Sequence, residues 1–178
     1  MSLQLRTPSI VRLLAFSACW MAGVAHADIY SDMAALTRAG QPEAAITQAD
    51  AYLATNPRDP QVRFLKGVAQ SRAGNTQAAT ETFERLVEEY PELPEPYNNL
   101  AVIFAADNQL EKARGALELA VRNNPNYALA HENLGDIYAR LAHNAYLRSL
   151  QLQPGPAQQR GLALKQATLA AMLQPTQP

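Results

Sequence analysis

The chain has 178 residues, 15 Lys and Arg against 16 Asp and Glu, and one cysteine, Cys19. Near-neutral charge without a basic run argues against a nucleic-acid partner, whose phosphates demand clustered cations. A lone thiol excludes an internal disulfide, and the length suffices for one domain with a real core.

The first predicted element, 1–27, is a module apart: Arg6 and Arg12, an apolar stretch over 13–24, then Ala25-His26-Ala27 ahead of Asp28. That order is the pattern of a cleavable secretory signal peptide, and its apolar core is shorter than the ~20 residues a bilayer span needs. Small Ala25 and Ala27 suit signal peptidase, so export, to a periplasm, is the expectation. A second reading takes Phe16-Ser17-Ala18-Cys19 as a lipidated box that tethers the chain to a membrane through Cys19. Cleavage after Ala27 leaves 151 residues, no cysteine, and 13 cations against 16 acids, a net −3. No later segment is long and apolar enough to span a membrane.

Beyond the leader, Pro57, Pro91 and Pro125 stand 34 residues apart, and Ala45, Ala79 and Ala113 keep the same interval. A period of that length marks helical repeats. The copies run 28–59, 60–93, 94–127 and a shortened 128–154. The first is irregular over 28–38, as suits a terminal repeat with one face open to water, then carries Gly40, Gln41-Pro42-Glu43, Ala45 and Pro57. The second opens on Asp59-Pro60 and carries Gly67, Gly74, Ala79, Phe83 and Pro91. Gly40 and Gly74 fall where a left-handed residue would end the first helix of each pair, and Asn108 takes that place in the third copy. Proline just inside a helix start loses an amide that has no partner there anyway.

The third copy reads Tyr97, Leu100-Ala101, Phe104, Ala113, Leu117, Ala120 and Pro125. The fourth begins His131, Leu134-Gly135, Tyr138, but Leu150-x-Leu152-x-Pro154 closes it five residues before position 159, where the period would end. The missing residues are those of the inter-helix turn, so 128–152 is expected to run as one long or kinked helix. After Gly155-Pro156, the segment 157–173 puts Leu162, Leu169, Met172 and Leu173 on one broad face, fitting a helix that caps a stack. The tail from Gln174 is expected to be disordered.

These residues resemble the tetratricopeptide repeat: a large residue, Leu-Gly and an aromatic on one helix, then Ala, a large apolar residue and Pro on and after the next. Arg63, Lys66 and Gln70 depart from its large apolar residues. The resemblance implies an all-α fold, a right-handed α-solenoid of stacked antiparallel helix pairs with about three to four repeats and a C-terminal capping helix. It implies a non-enzymatic scaffold or adaptor that binds a protein or peptide in a concave groove lined by the first helices. Carried over residue by residue, that lining is Tyr30 and Arg38; Gln61, Phe64, Val68 and Arg72; Glu95, Asn98, Asn99, Val102 and Ala105; Glu132, Asn133, Asp136 and Arg140.

Phe64, Val68 and Val102 are expected on a face that packs nothing internally, as apolar residues of a binding site do. Asn99 and Asn133 can each donate and accept, which suits an extended peptide backbone. Glu132 and Asp136 add negative potential that suits a cationic partner or else the nearby Arg140 of the same helix. The pattern of Lys and Arg that grips a C-terminal carboxylate in some members is missing, since Ser31, Leu65, Glu95 and Asn133 hold those places. Beyond the leader the only histidines are His131, in a packing slot between helices, and His143, and neither sits in a catalytic or metal constellation, so no cofactor is expected. Exported relatives imply an adaptor in the bacterial envelope. The other reading is a membrane-tethered assembly factor that works through self-association.

Overall fold

Residues 24–152 and 155–172 are described in the structure, a computed structural model. Most of the expected leader, Cys19, Pro154, Leu173 of the expected capping face and the tail from Gln174 lie outside them. Among the described residues the elements are all helices: α1 (Val24–Arg38), α2 (Pro42–Leu53), α3 (Pro60–Arg72), α4 (Thr76–Glu89), α5 (Pro94–Ala106), α6 (Leu110–Asn123), α7 (Ala128–Gln151) and α8 (Pro156–Met172).

Local chemistry sets the breaks. Gly40, Gly74 and Asn108 all have positive φ, at 73°, 78° and 57°, and close the turns α1–α2, α3–α4 and α5–α6. Glycine adopts that conformation without steric cost and asparagine tolerates it. Proline stands in the first turn of α2, α3 and α5. Asp59 caps α3, its Oδ1 accepting from the amides of Gln61 and Val62 at 3.0 and 3.1 Å. Pro57, Pro91 and Pro125 lie in the loops after α2, α4 and α6, outside any helix.

Consecutive helices pack antiparallel as pairs, and α1 also touches α3 as α5 touches α7, so the pairs stack into an α-solenoid. Ala45, Ala79 and Ala113 are all fully buried, where a larger residue would hold the helices apart. Gly67 shows the closest fit, since a Cβ there would lie 2.6 Å from the Phe83 ring. In the third copy the corresponding pair is Ala101 and Leu117, both buried, a slightly larger knob against a smaller one. The core is correspondingly serial. Ile29, Met33, Ala49 and Val62 join α1, α2 and α3; Ala79, Phe83, Leu86 and Leu100 join α4 and α5. Ala101, Leu110, Leu117, Ala130 and Ile137 join α5, α6 and α7, with Tyr97, Phe104 and Leu134 packed around them.

The fourth copy breaks the pattern. Ala142, which follows Asn108 by one period, sits inside α7, and the helix runs on for 24 residues. No second helix folds over its first half, which is why nothing lies within 4 Å of a Cβ built on Gly135. Tyr138 is correspondingly 48% exposed rather than packed, its hydroxyl donating to Glu118 at 3.2 Å. His131 is also not an interface histidine. It lies exposed on the first turn of α7, its Nε2 2.9 Å from the Pro125 carbonyl. α8 packs on α7 through buried Leu162, with the Lys165 ammonium 5.5 Å from the Tyr146 ring centre. Met172, expected on the packed face, is 70% exposed.

Candidate partner-binding face

The first helices α3, α5 and α7 carry most of the residues expected to bind a partner, and the repeat allows like positions to be compared. Phe64, Asn98 and Glu132 are one period apart, yet the first is half-buried, the second buried and the third exposed. The neighbour decides. Asn98 is covered by α7, where its Oδ1 accepts from Asn133 Nδ2 at 2.8 Å, whereas Glu132 lies on the last first helix. Phe64 and Val68 depart from expectation because both pack inward on the Phe83 cluster. Gly67 lets Phe83 approach its backbone, and the Phe64 ring then meets Phe83 at 5.9 Å between centres.

The asparagines depart from it too. Asn98 is closed off from solvent, and the Asn99 and Asn133 amides both have internal acceptors, Asn99 Nδ2 donating to the Glu95 carbonyl at 2.9 Å. Tyr30 faces the loop before α3, not the shared face. Its hydroxyl donates to Asp59 Oδ2 at 2.9 Å beside that of Tyr52 at 3.2 Å. Donation to a carboxylate stabilises the neutral phenol, and the Tyr30 hydroxyl is pushed up to about 12. Arg38 Nε returns to the Ala34 carbonyl of its own helix, and Gln61 is exposed in the first turn of α3. Arg140 donates to the Ala105 carbonyl at 3.0 Å and so ties α7 to the end of α5. There it borders a cleft of about 380 Å³ with Asn108, Leu110, His143 and Asn144.

Besides Arg38 and Gln61, the accessible members of the expected lining are Arg72 on α3, Glu95 and Val102 on α5, and Glu132 and Asp136 on α7. Leu129 on α7 joins them at 48% exposure, close to the 51% of Val102 on α5. The resemblance does not select Leu129, although it follows Glu95 by one period and so shares its position. None of the three carboxylates is in an ion pair among the described residues. Exposed apolar side chains on helices that also carry unpaired acids can hold a segment that is apolar on one side and cationic on the other. Among the described residues no His, Cys, Asp and Glu are grouped to hold a metal, and no helix is long and apolar enough to cross a membrane.

Two family models described as tetratricopeptide repeat match residues 35–94 and 70–141. TPR repeat-containing thioredoxin TTL4 of Arabidopsis thaliana is 38% identical over 81 residues, which are 44% of this chain and 12% of that protein. The chain thus spans a small part of that relative. Among solved structures, TTC0263, a thermophilic TPR protein of Thermus thermophilus, aligns at TM-score 0.61 and 24% identity over 83% of this chain and 82% of that one. The first TPR of Spaghetti (RPAP3), bound to HSP90 peptide SRMEEVD, aligns at 0.59 and 19% over 64% of this chain and 90% of that one. Such likeness in the solved structures extends to the fold.

Proposed function

Because the chain belongs to the tetratricopeptide-repeat family, we propose that it is a non-enzymatic adaptor of the bacterial cell envelope. It holds a segment of another protein in the groove formed by α3, α5 and α7. The observation that carries this reading is that Val102 and Leu129 stand exposed on the first helices α5 and α7, which also carry exposed Glu95, Glu132 and Asp136. A solenoid buries its apolar residues between neighbouring helices, so large apolar side chains left outside on one face have a use there. The acids select a segment with Lys or Arg beside its apolar residues. That a solved TPR domain holds a peptide supports the type of activity, and the leader-like 1–27 supports the compartment.

In-cell photo-crosslinking from position 102, with the exposed position 81 on α4 as the control, tests the face. A protein captured from 102 alone is the expected result. Equal capture from both sites, or none, overturns it. Intact mass of the purified protein tests the leader: cleavage after Ala27 and lipidation at Cys19 give different masses.

A further inference from the structure

The sign of the charge changes along the chain. Residues 28–136 hold all 16 carboxylates against nine Lys and Arg, while 137–178 hold Arg140, Arg148, Arg160 and Lys165 and no acid at all. The basic end is also where apolar surface is most open. Leu152, Leu164 and Met172 are 69%, 71% and 70% exposed, well above any other large apolar side chain of the described residues. On α8, Leu164 lies two residues beyond Leu162, about 200° around the helix, so it faces away from α7. Arg160, one turn earlier on the same outward side, is exposed as well.

These are complementary to the α5–α7 face, with its Val102 and Leu129 among Glu95, Glu132 and Asp136. The two surfaces cannot meet within one molecule. Glu132 and Arg148 belong to one unbroken helix, 16 residues or about 24 Å apart, against a screening length of ~8 Å at physiological salt. Leu162 and Lys165 hold α8 against the far half of α7. A lipid surface fits less well, because the outward side of α8 around Leu164 is mostly small residues, Ala157, Gly161, Ala167, Thr168 and Ala171, without the broad stripe of large apolar residues that inserts into a bilayer.

We propose that the basic α7–α8 end of one copy docks on the acidic α5–α7 face of a second copy. Arg148, Arg160, Leu164 and Met172 then lie against Glu132, Asp136, Val102 and Leu129. Two different patches meet, so the contact is head-to-tail, and each assembly keeps one free patch of each kind unless it closes into a ring. The receiving face is the one assigned to the partner segment. On that reading, self-association and partner binding compete.

Sedimentation velocity of the purified protein tests the contact. The expected mass grows beyond the monomer with concentration at ~0.1 M salt and falls back at ~1 M, as the screening length drops from ~10 to ~3 Å. The Arg148→Glu and Arg160→Glu double variant, and separately the Glu132→Arg and Asp136→Arg double variant, each weaken association at least ~10-fold, equivalent to ~1.4 kcal/mol. Mixed, the two variants regain association, since the intact basic end of one meets the intact acidic face of the other and the two reversed patches carry opposite charges as well. Circular dichroism verifies that each is folded. A wild-type protein that stays monomeric, or variants that assemble as well as wild type, would overturn the proposal. So would a monomeric protein that sediments with phosphatidylglycerol vesicles, which assigns the basic end to lipid. The Arg148→Glu, Arg160→Glu variant keeps the α5–α7 face intact, so crosslinking from position 102 in that background reads partner binding separately. Capture there, beside a wild type that never associates, sinks only the assembly; absent capture from a monomeric variant sinks only the partner.

Discussion

Gly67 and Gly135 stand two periods apart at the same place in the repeat, yet one added carbon would meet opposite surroundings. Adding a Cβ at Gly67 drives it into the Phe83 ring at 2.6 Å, and that ring is fully buried and has nowhere to retreat. Gly67→Ala therefore costs about 1–3 kcal/mol through overpacking, outweighing the ~1 kcal/mol that alanine gains in a helix. Gly135→Ala meets nothing within 4 Å and keeps only the gain, ~0.5–1 kcal/mol. Urea denaturation midpoints that move in opposite directions would verify both. Tyr30 adds a pH dependence. Its folded value, about 12, lies above the ordinary 10, so its bond to Asp59 contributes stability below pH ~10 that is lost as pH rises through ~12. Tyr30→Phe costs ~1 kcal/mol or less at neutral pH, given the partial exposure of the pair, and the difference from wild type vanishes by pH ~12 in a denaturation series.

Between elements, Asn98 and Asn133 form the polar link from α5 to α7. Asn98 is 3% exposed, so Asn98→Ala removes an acceptor that water cannot easily replace and costs about 1–3 kcal/mol. Removing both amides costs less than the two single losses together, by ~0.5 kcal/mol or more in a double-mutant cycle. Strict additivity would mean that the bond carries no energy. The helix breaks were legible from sequence because their causes are local: Gly40, Gly74 and Asn108 end helices by their own backbone freedom. The accessible face was legible only in part. The period places Phe64, Asn98 and Glu132 at one position, but their burial depends on the next helix in the stack, which no single copy contains. Leu129 and the acid-free end were within reach of the same spacing and of a simple charge count, whereas the exposure of Met172 depends on how α8 lies on α7.

Stability across the whole molecule follows from the serial core. α8 buries Leu162 alone, and α7 buries Ala130 and Ile137, both in its first half, whereas α6 buries five residues. Amide hydrogen exchange is therefore expected to be fastest in α8 and the second half of α7, and slowest in α5 and α6. Equal protection along the chain would contradict that gradient. A helical solenoid usually bends a little at every turn between repeats. Here the last turn is absent, and α7 is a rod about 36 Å long whose first half is anchored in the stack by Ile137 and Asn133 and whose second half carries α8. It works as a lever: a tug on α8 is delivered to the α5–α7 face as a tilt, with little lost to bending along the way.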